Sequence, residues 1–119
     1  MKKTLVISAS LKPHRYSNKA VNLLTDYGHE VVAIGQIKGK INGIQVHEDI
    51  IELEDVDTVT LYLSPQKQVN YYDYILSLSP KRIIMNPGTE NNEFKTMAQT
   101  KGIEIVEHCT LVMLNMGMY

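Results

Sequence analysis

An α/β fold, built on a doubly wound, mainly parallel open sheet of about five strands, is what this sequence predicts. Three observations carry that prediction. Short apolar runs alternate with helix-like stretches along the chain, the pattern of strands joined by helical crossovers. The first run, residues 4–9, is apolar throughout rather than alternating, as a central strand covered on both faces requires. Helix stops and turns punctuate the runs, at Gly28, Asn86-Pro87-Gly88 and Gly102.

Taken in order, Thr4-Leu-Val-Ile-Ser-Ala9 is the first strand and residues 10–16 are a loop. Ser17 is placed to cap a helix over 18–27, with Ala20, Leu23, Leu24 and Tyr27 as its inward stripe. Strand two is 30–35. Residues 36–43, with Gly39 and Gly43, read as a turn, and Ile44-Gln45-Val46 as a short extended piece. Residues 47–54 suit one helical turn. Strand three is 57–63, after which Ser64-Pro65 offers a cap with proline at the first helical position. Val69, Tyr72, Ile75 and Leu76 give the next helix its apolar face. Strand four is 82–86. Asn91 or Asn92 caps a helix burying Phe94, Met97 and Ala98, and strand five is 103–106. The apolar tail Leu111–Leu114 suits strand or helix equally. With right-handed crossovers the whole is a Rossmann-like sheet.

Composition narrows the function. A chain of 119 residues is one domain, residues 1–119, with no room for a separate catalytic one. The net charge of −1 argues against a nucleic-acid binder. A single cysteine, Cys109, excludes an intrachain disulfide and a cysteine metal cluster, and fits a reducing, cytoplasmic setting. No apolar stretch approaches the ~18 residues of a membrane span, so no membrane partner is expected. His14, His29, His47 and His108 show no metal-ligand spacing, and no metal is expected. No nucleophile elbow or paired acid and base stands out, which points to a non-catalytic protein.

Ligands of such sheets bind outside the carboxyl ends of the strands. The loop Ser8-Ala9-Ser10-Leu11-Lys12-Pro13-His14-Arg15-Tyr16-Ser17 joins the first strand to the first helix. Its small opening residues and its lysine, histidine and arginine suit an anion at a helix start, though a polar surface loop would look the same. It contains no glycine, so the dinucleotide fingerprint is absent. Gly35-Gln36-Ile37-Lys38-Gly39-Lys40 ends strand two with lysines and no carboxylate, which disfavours NAD and suits an extra ribose phosphate. Tyr62, Ser64 and Pro65 end strand three, where Tyr62 suits either an adenine slot or the core. Asn86, Pro87 and Gly88 end strand four and suit polar ligand contacts or a tight turn.

These residues bear a family resemblance. Ala9-Ser10-x-x-Pro13-x-x-Tyr16-Ser17, Tyr27-Gly28-His29-Glu30-Val31, Asn42-Gly43-Ile44-x-Val46, Val56-Asp57-Thr58-Val59, Asn86-Pro87-Gly88, Gly102-Ile103 and Cys109 occur in this order. Over roughly residues 4–119 the chain resembles the small stand-alone CoA-binding-domain proteins. These are similar to the CoA-binding, Rossmann-like domain of the succinyl-CoA synthetase alpha subunit. The resemblance implies coenzyme A or an acyl-CoA as ligand. It gives Ala9, Ser10, Lys12, Arg15 and Ser17 to the phosphates with Tyr16 beside them, and Gly35 and Lys38 to the adenosine end. Tyr62, Ser64 and Pro65 would wall the adenine or the way in for pantetheine, and Asn86, Pro87 and Gly88 would meet the pantetheine arm. The family usually has glycine where this chain has Ser8, whose hydroxymethyl group would either crowd the diphosphate or donate to it.

The sequence therefore favours a non-catalytic CoA or acyl-CoA binding protein, its nucleotide held by the 8–17 loop. An NADP-binding redox sensor or oxidoreductase component is a second reading, carried by Lys38 and Lys40. A third is an interaction subunit with a degenerate nucleotide pocket, in which Tyr71, Tyr72, Tyr74 and the tail leave room for a homodimer.

Overall fold

A computed structural model describes residues 1–119. It contains one seven-stranded sheet in the order β3-β4-β2-β1-β5-β6-β7. The strands are β1 (Thr4–Ile7), β2 (Val31–Ile34), β3 (Gly39–Ile41), β4 (Ile44–His47), β5 (Thr58–Leu61), β6 (Arg82–Met85) and β7 (Glu104–Glu107). The helices are α1 (Tyr16–Asp26), α2 (Pro65–Gln68), α3 (Tyr72–Leu78), α4 (Asn92–Thr100) and α5 (Thr110–Asn115), with a 3₁₀ turn at Val69–Tyr71. Every strand pair is parallel except β3 with β4. The five expected strands are all present, and the hairpin accounts for the other two. No helix is long and apolar enough to cross a membrane.

That hairpin corrects the reading of 36–43 as a turn. The turn is only Asn42-Gly43, with φ of +49° and +79°, the two left-handed residues a two-residue hairpin loop requires. Residues 47–54 form no helix; they run as an irregular connection to β5. The tail is helix α5.

β1 is buried on both faces along its length, because it lies at the centre, where the strand order reverses. On one face Leu5, Ile7, Val59, Leu61, Ile83 and Met85 meet α3 and α4. Phe94 of α4 is fully buried there and stacks on Tyr72 of α3 at 4.5 Å between centroids, a pairing worth about 0.5–1.5 kcal/mol beyond its buried area. Tyr74 is tied down by its hydroxyl, which donates to the Ile51 carbonyl at 2.6 Å. On the other face Val6, Val31, Ala33 and Val46 meet Val21 and Leu24 of α1 and Leu114 of α5. Two expected inward residues lie outside: Tyr27 and Val69 are exposed. Tyr27 follows the last residue of α1, and Val69 falls in the 3₁₀ turn, where helical periodicity breaks. Gly28 ends α1 at φ +86° as expected.

Candidate functional site

The parallel register aligns the carboxyl ends of six strands. Ile34 pairs with His47, Ile7 with Ile34 and Leu61, Leu61 with Met85, and Met85 with Glu107. The residues that follow therefore form a row: Glu48, Gly35, Ser8, Tyr62, Asn86 and His108. At ~4.8 Å between strands the row spans roughly 24 Å. It brings the four sequence-predicted segments to one edge of the sheet, with the reversal of strand order between Ser8 and Tyr62.

The 8–17 loop is compact and internally tied. Ser8 and Ala9 both donate their amides to the Ile34 carbonyl, at 2.8 and 2.9 Å. The Ser10 amide donates to Ser17 Oγ at 3.1 Å, the Ser10 carbonyl accepts from Asn18 Nδ2, and Ser10 Oγ accepts from the Lys12 amide. The amides of residues 8–10 are therefore spent inside the protein, which corrects the expectation that they receive phosphate. Ser17 is no cap either. α1 starts two residues earlier than expected, at Tyr16, and the buried Ser17 hydroxyl holds the loop instead.

What remains free is the first turn of α1. The amides of Tyr16, Ser17 and Asn18 have no acceptor in the protein, and they carry the positive end of an 11-residue helix. Lys12, His14, Arg15 and Tyr16 are exposed beside it. The protein has three ion pairs, and none involves Lys12, Arg15, Lys38 or Lys40. The loop thus presents uncompensated positive charge at a helix start, the arrangement that binds anions.

Ser8 adopts φ +73°, in the left-handed region. Its half-exposed side chain makes no hydrogen bond, so the conformation is imposed by the backbone: its amide and that of Ala9 must both reach one carbonyl of β2. Gly35 is buried under this turn, and a Cβ there would sit 2.1 Å from the Ala9 carbonyl oxygen. Gly39 is similarly close to the Leu11 side chain, at 2.6 Å. Gly35 is therefore a packing requirement beneath the loop. Lys38 is exposed, and its amide donates to Glu48 Oε1 at 3.3 Å. Here the sequence reading missed a carboxylate. Glu48 follows β4, and only the pairing of β4 beside β2 brings it to the end of strand two.

On the other side of the row Asn86 is structural. Its Nδ2 donates to Thr60 Oγ1 and to the Leu61 carbonyl, and its Oδ1 accepts from the Thr110 amide. With every polar atom engaged and 2% of its surface exposed, its side chain does not reach a ligand as expected. Pro87 and Gly88 remain exposed, Gly88 at φ +92°. The Tyr62 hydroxyl is sealed beside Thr60 and Thr110 without a hydrogen-bond partner. Burial pushes its pKa well above the ordinary phenol value. It belongs to the core beneath α5 more than to an open slot. Ser64 precedes α2 with Pro65 at its first position, but its hydroxyl makes no cap bond.

A second polar network went unread in the sequence. Gln68, fully buried, donates to the carbonyls of Leu63 and Thr89, and Asn91 Nδ2 donates to Gln68 Oε1 and to the Tyr72 hydroxyl. Asn91 also caps α4 as expected, accepting from the Phe94 amide at 3.1 Å. This network pins the loops after β5 and β6. Nothing in a single sequence marks Gln68 as buried, since its partners are distant in the chain. A groove of about 540 Å³ lies between residues 50–54 and α3, and none of its lining residues belongs to the carboxyl-end row.

Residues 2–115 match the family model described as a CoA binding domain. A solved structure described as an uncharacterized protein is 47% identical, with TM-score 0.97, covering 100% of this chain and 98% of its own. A Thermus thermophilus structure, cell-free ID.343, is 20% identical with TM-score 0.85 over 99% of this chain and 90% of its own. The dinucleotide-forming acetyl-coenzyme A synthetase 1 of Ca. Korarchaeum cryptofilum is 18% identical with TM-score 0.71, over 90% of this chain and 25% of that one. The last two likenesses are of fold. No curated protein matches.

Proposed function

The chain belongs to the CoA binding domain family, and from that premise we propose that it is a non-catalytic module holding coenzyme A or an acyl-CoA across the carboxyl-end row. The observation that carries the reading is the first turn of α1. Three amides there have no acceptor in the protein and stand beside Lys12 and Arg15, which no acidic side chain neutralises. A diphosphate is the part of coenzyme A that such a site would take. Ser8, Ala9, Ser10 and Ser17 act beneath it, shaping the loop. Lys38 would answer the ribose phosphate, with Glu48 holding its backbone. Tyr62 and Asn86 brace the floor, and a pantetheine arm would run past the exposed Pro87 and Gly88, whose one amide already donates to Glu90 Oε1 at 2.9 Å.

Calorimetric titration with CoA and dephospho-CoA tests this. Heat with CoA and a weaker response to dephospho-CoA are expected. No heat with either, at concentrations that detect micromolar binding, overturns the reading. Equal affinity for both removes the role given to Lys38.

A further inference from the structure

The far edge of the sheet, at the amino ends of the strands, carries an arrangement unrelated to the nucleotide reading. The last residues of the chain fold back from α5 and place Tyr119 on the sheet face. Its hydroxyl meets Thr4 Oγ1. Its ring lies 4.4 Å from the Arg82 guanidinium carbon and 4.9 Å, edge-on, from the His29 ring. Its backbone oxygen accepts from Lys2 Nζ at 3.1 Å. His29 is the hinge of the cluster, because its Nδ1 accepts the Lys2 backbone amide at 3.0 Å.

That bond exists only with a neutral imidazole, since a protonated ring has two donors and no acceptor. We propose that residues 116–119 form an acid-released latch, in which protonation of His29 breaks the Lys2 bond and undocks Tyr119 from the sheet. The charges facing His29 reinforce this. Arg82 comes from β6, and Lys2 and the Met1 amino group from the segment before β1. Asp57, just before β5, opposes them, and Tyr119 adds a neutral ring. Glu30, next to His29, is drawn to Lys3 at 3.6 Å. Burial first, then those three cationic groups, lower the His29 pKa. A new positive charge would therefore appear in an already cationic pocket. Opening frees Arg82, which is 9% exposed and has an Nη2 with no hydrogen-bond partner while the latch is shut. The Met116 and Met118 side chains, already exposed, would move with the tail.

Proton and nitrogen NMR on the full chain between pH 8 and pH 5 tests the proposal. Signals of residues 116–119 should titrate with the same midpoint as the His29 ring protons. Their heteronuclear NOE should fall on the acid side. His29→Asn, whose Oδ1 can take the place of Nδ1, should keep the tail docked throughout. By reciprocity, Tyr119→Ala should raise the His29 midpoint toward 6.5, because the tail that disfavours the charge is gone. A tail that stays docked while His29 protonates overturns the proposal, as does one that titrates with another midpoint. An unchanged His29 midpoint in Tyr119→Ala overturns it independently, whether or not the asparagine variant folds.

Discussion

Replacing Ser8 by glycine should stabilise this protein, although it deletes a side chain at the centre of the carboxyl-end row. Ser8 is held at φ +73°. For an L-residue with a Cβ, the left-handed region costs about 1–2 kcal/mol. The Ser8 hydroxyl makes no hydrogen bond, so its loss removes no compensating contact. Against the relief stands the greater freedom of glycine in the unfolded chain, about 0.4–1 kcal/mol. The balance is a gain of about 0.8 kcal/mol at mid-range and at most ~1.6 kcal/mol. With an m-value near 1.5 kcal/mol per molar urea, typical for a small domain, the unfolding midpoint should rise by about 0.5 M at unchanged m. Urea titration followed by far-UV circular dichroism measures it. Ser8→Val, β-branched and so less tolerant of this φ, should move the midpoint the other way. A glycine variant less stable than the parent, with unchanged m, would refute the reasoning. It would mean that the serine makes a favourable contact or that the turn is not under strain. The same variant should bind CoA at least as tightly.

Gly35→Ala should cost about 3 kcal/mol, because the new Cβ would press into the Ala9 carbonyl, a backbone group tied to β2; urea unfolding measures the loss. Asn86→Ala should cost about 3 kcal/mol as well, leaving the Leu61 carbonyl and the Thr110 amide buried without partners, and the slow hydrogen exchange of the Thr110 amide should disappear. Lys12→Ala and Arg15→Ala should each weaken CoA binding about 3–10-fold and flatten its salt dependence, as exposed charges near a diphosphate do; titrations at two ionic strengths read both effects. Stability should fall with acid through His29. Its folded pKa lies below the unfolded value of 6.5, so its contribution is complete above that value, is lost as pH drops to the folded pKa, and then levels off. Thermal melts across pH 5–8 should show that fall in the parent and not in His29→Asn.

The parts of the fold that the sequence made legible are those decided by local chemistry. Five apolar runs became five parallel strands: β1, β5 and β6 are buried along their whole length, which leaves no polar alternation to misread, while β7, half-exposed at the sheet edge, follows the helix stop at Gly102. Gly28 and Asn91 ended and began helices for reasons contained within a few residues. The hairpin was legible in principle, since Asn42-Gly43 is a strong two-residue turn signal, but the two glycines flanking Lys40 and Ile41 masked the short strand between them. The misplaced site residues share a different cause. Asn86, Ser17 and Tyr62 are polar residues at the expected edge, and their positions were right. Asn86 finds its partner 24 residues away at Thr110 and Ser17 finds its own 7 away at Ser10, while the Tyr62 hydroxyl is buried beside those of Thr60 and Thr110 without bonding to either. Whether a polar side chain faces a ligand or its own scaffold depends on such distant pairings. Glu48 shows the converse, a binding-edge residue that only sheet order reveals.

This division has a consequence for how the site works. A polar side chain consumed by three internal bonds cannot also discriminate among ligands, so Asn86, Gln68 and Asn91 set the shape of the edge and leave its chemistry to others. The donors left over are backbone amides at the start of α1 and cations on flexible stems. Neither kind reads an acyl group, and both read phosphate charge. Affinity should therefore reside at the nucleotide end, with the acyl end meeting mainly exposed backbone near Pro87 and Gly88. CoA and its short acyl thioesters should then bind with affinities within a few-fold of one another, whereas shortening the ligand from the phosphate side should cost far more. Titrating CoA, acetyl-CoA and pantetheine against the same sample separates the two contributions. Pantetheine binding as tightly as CoA would show that the recognition lies at the other end of the row.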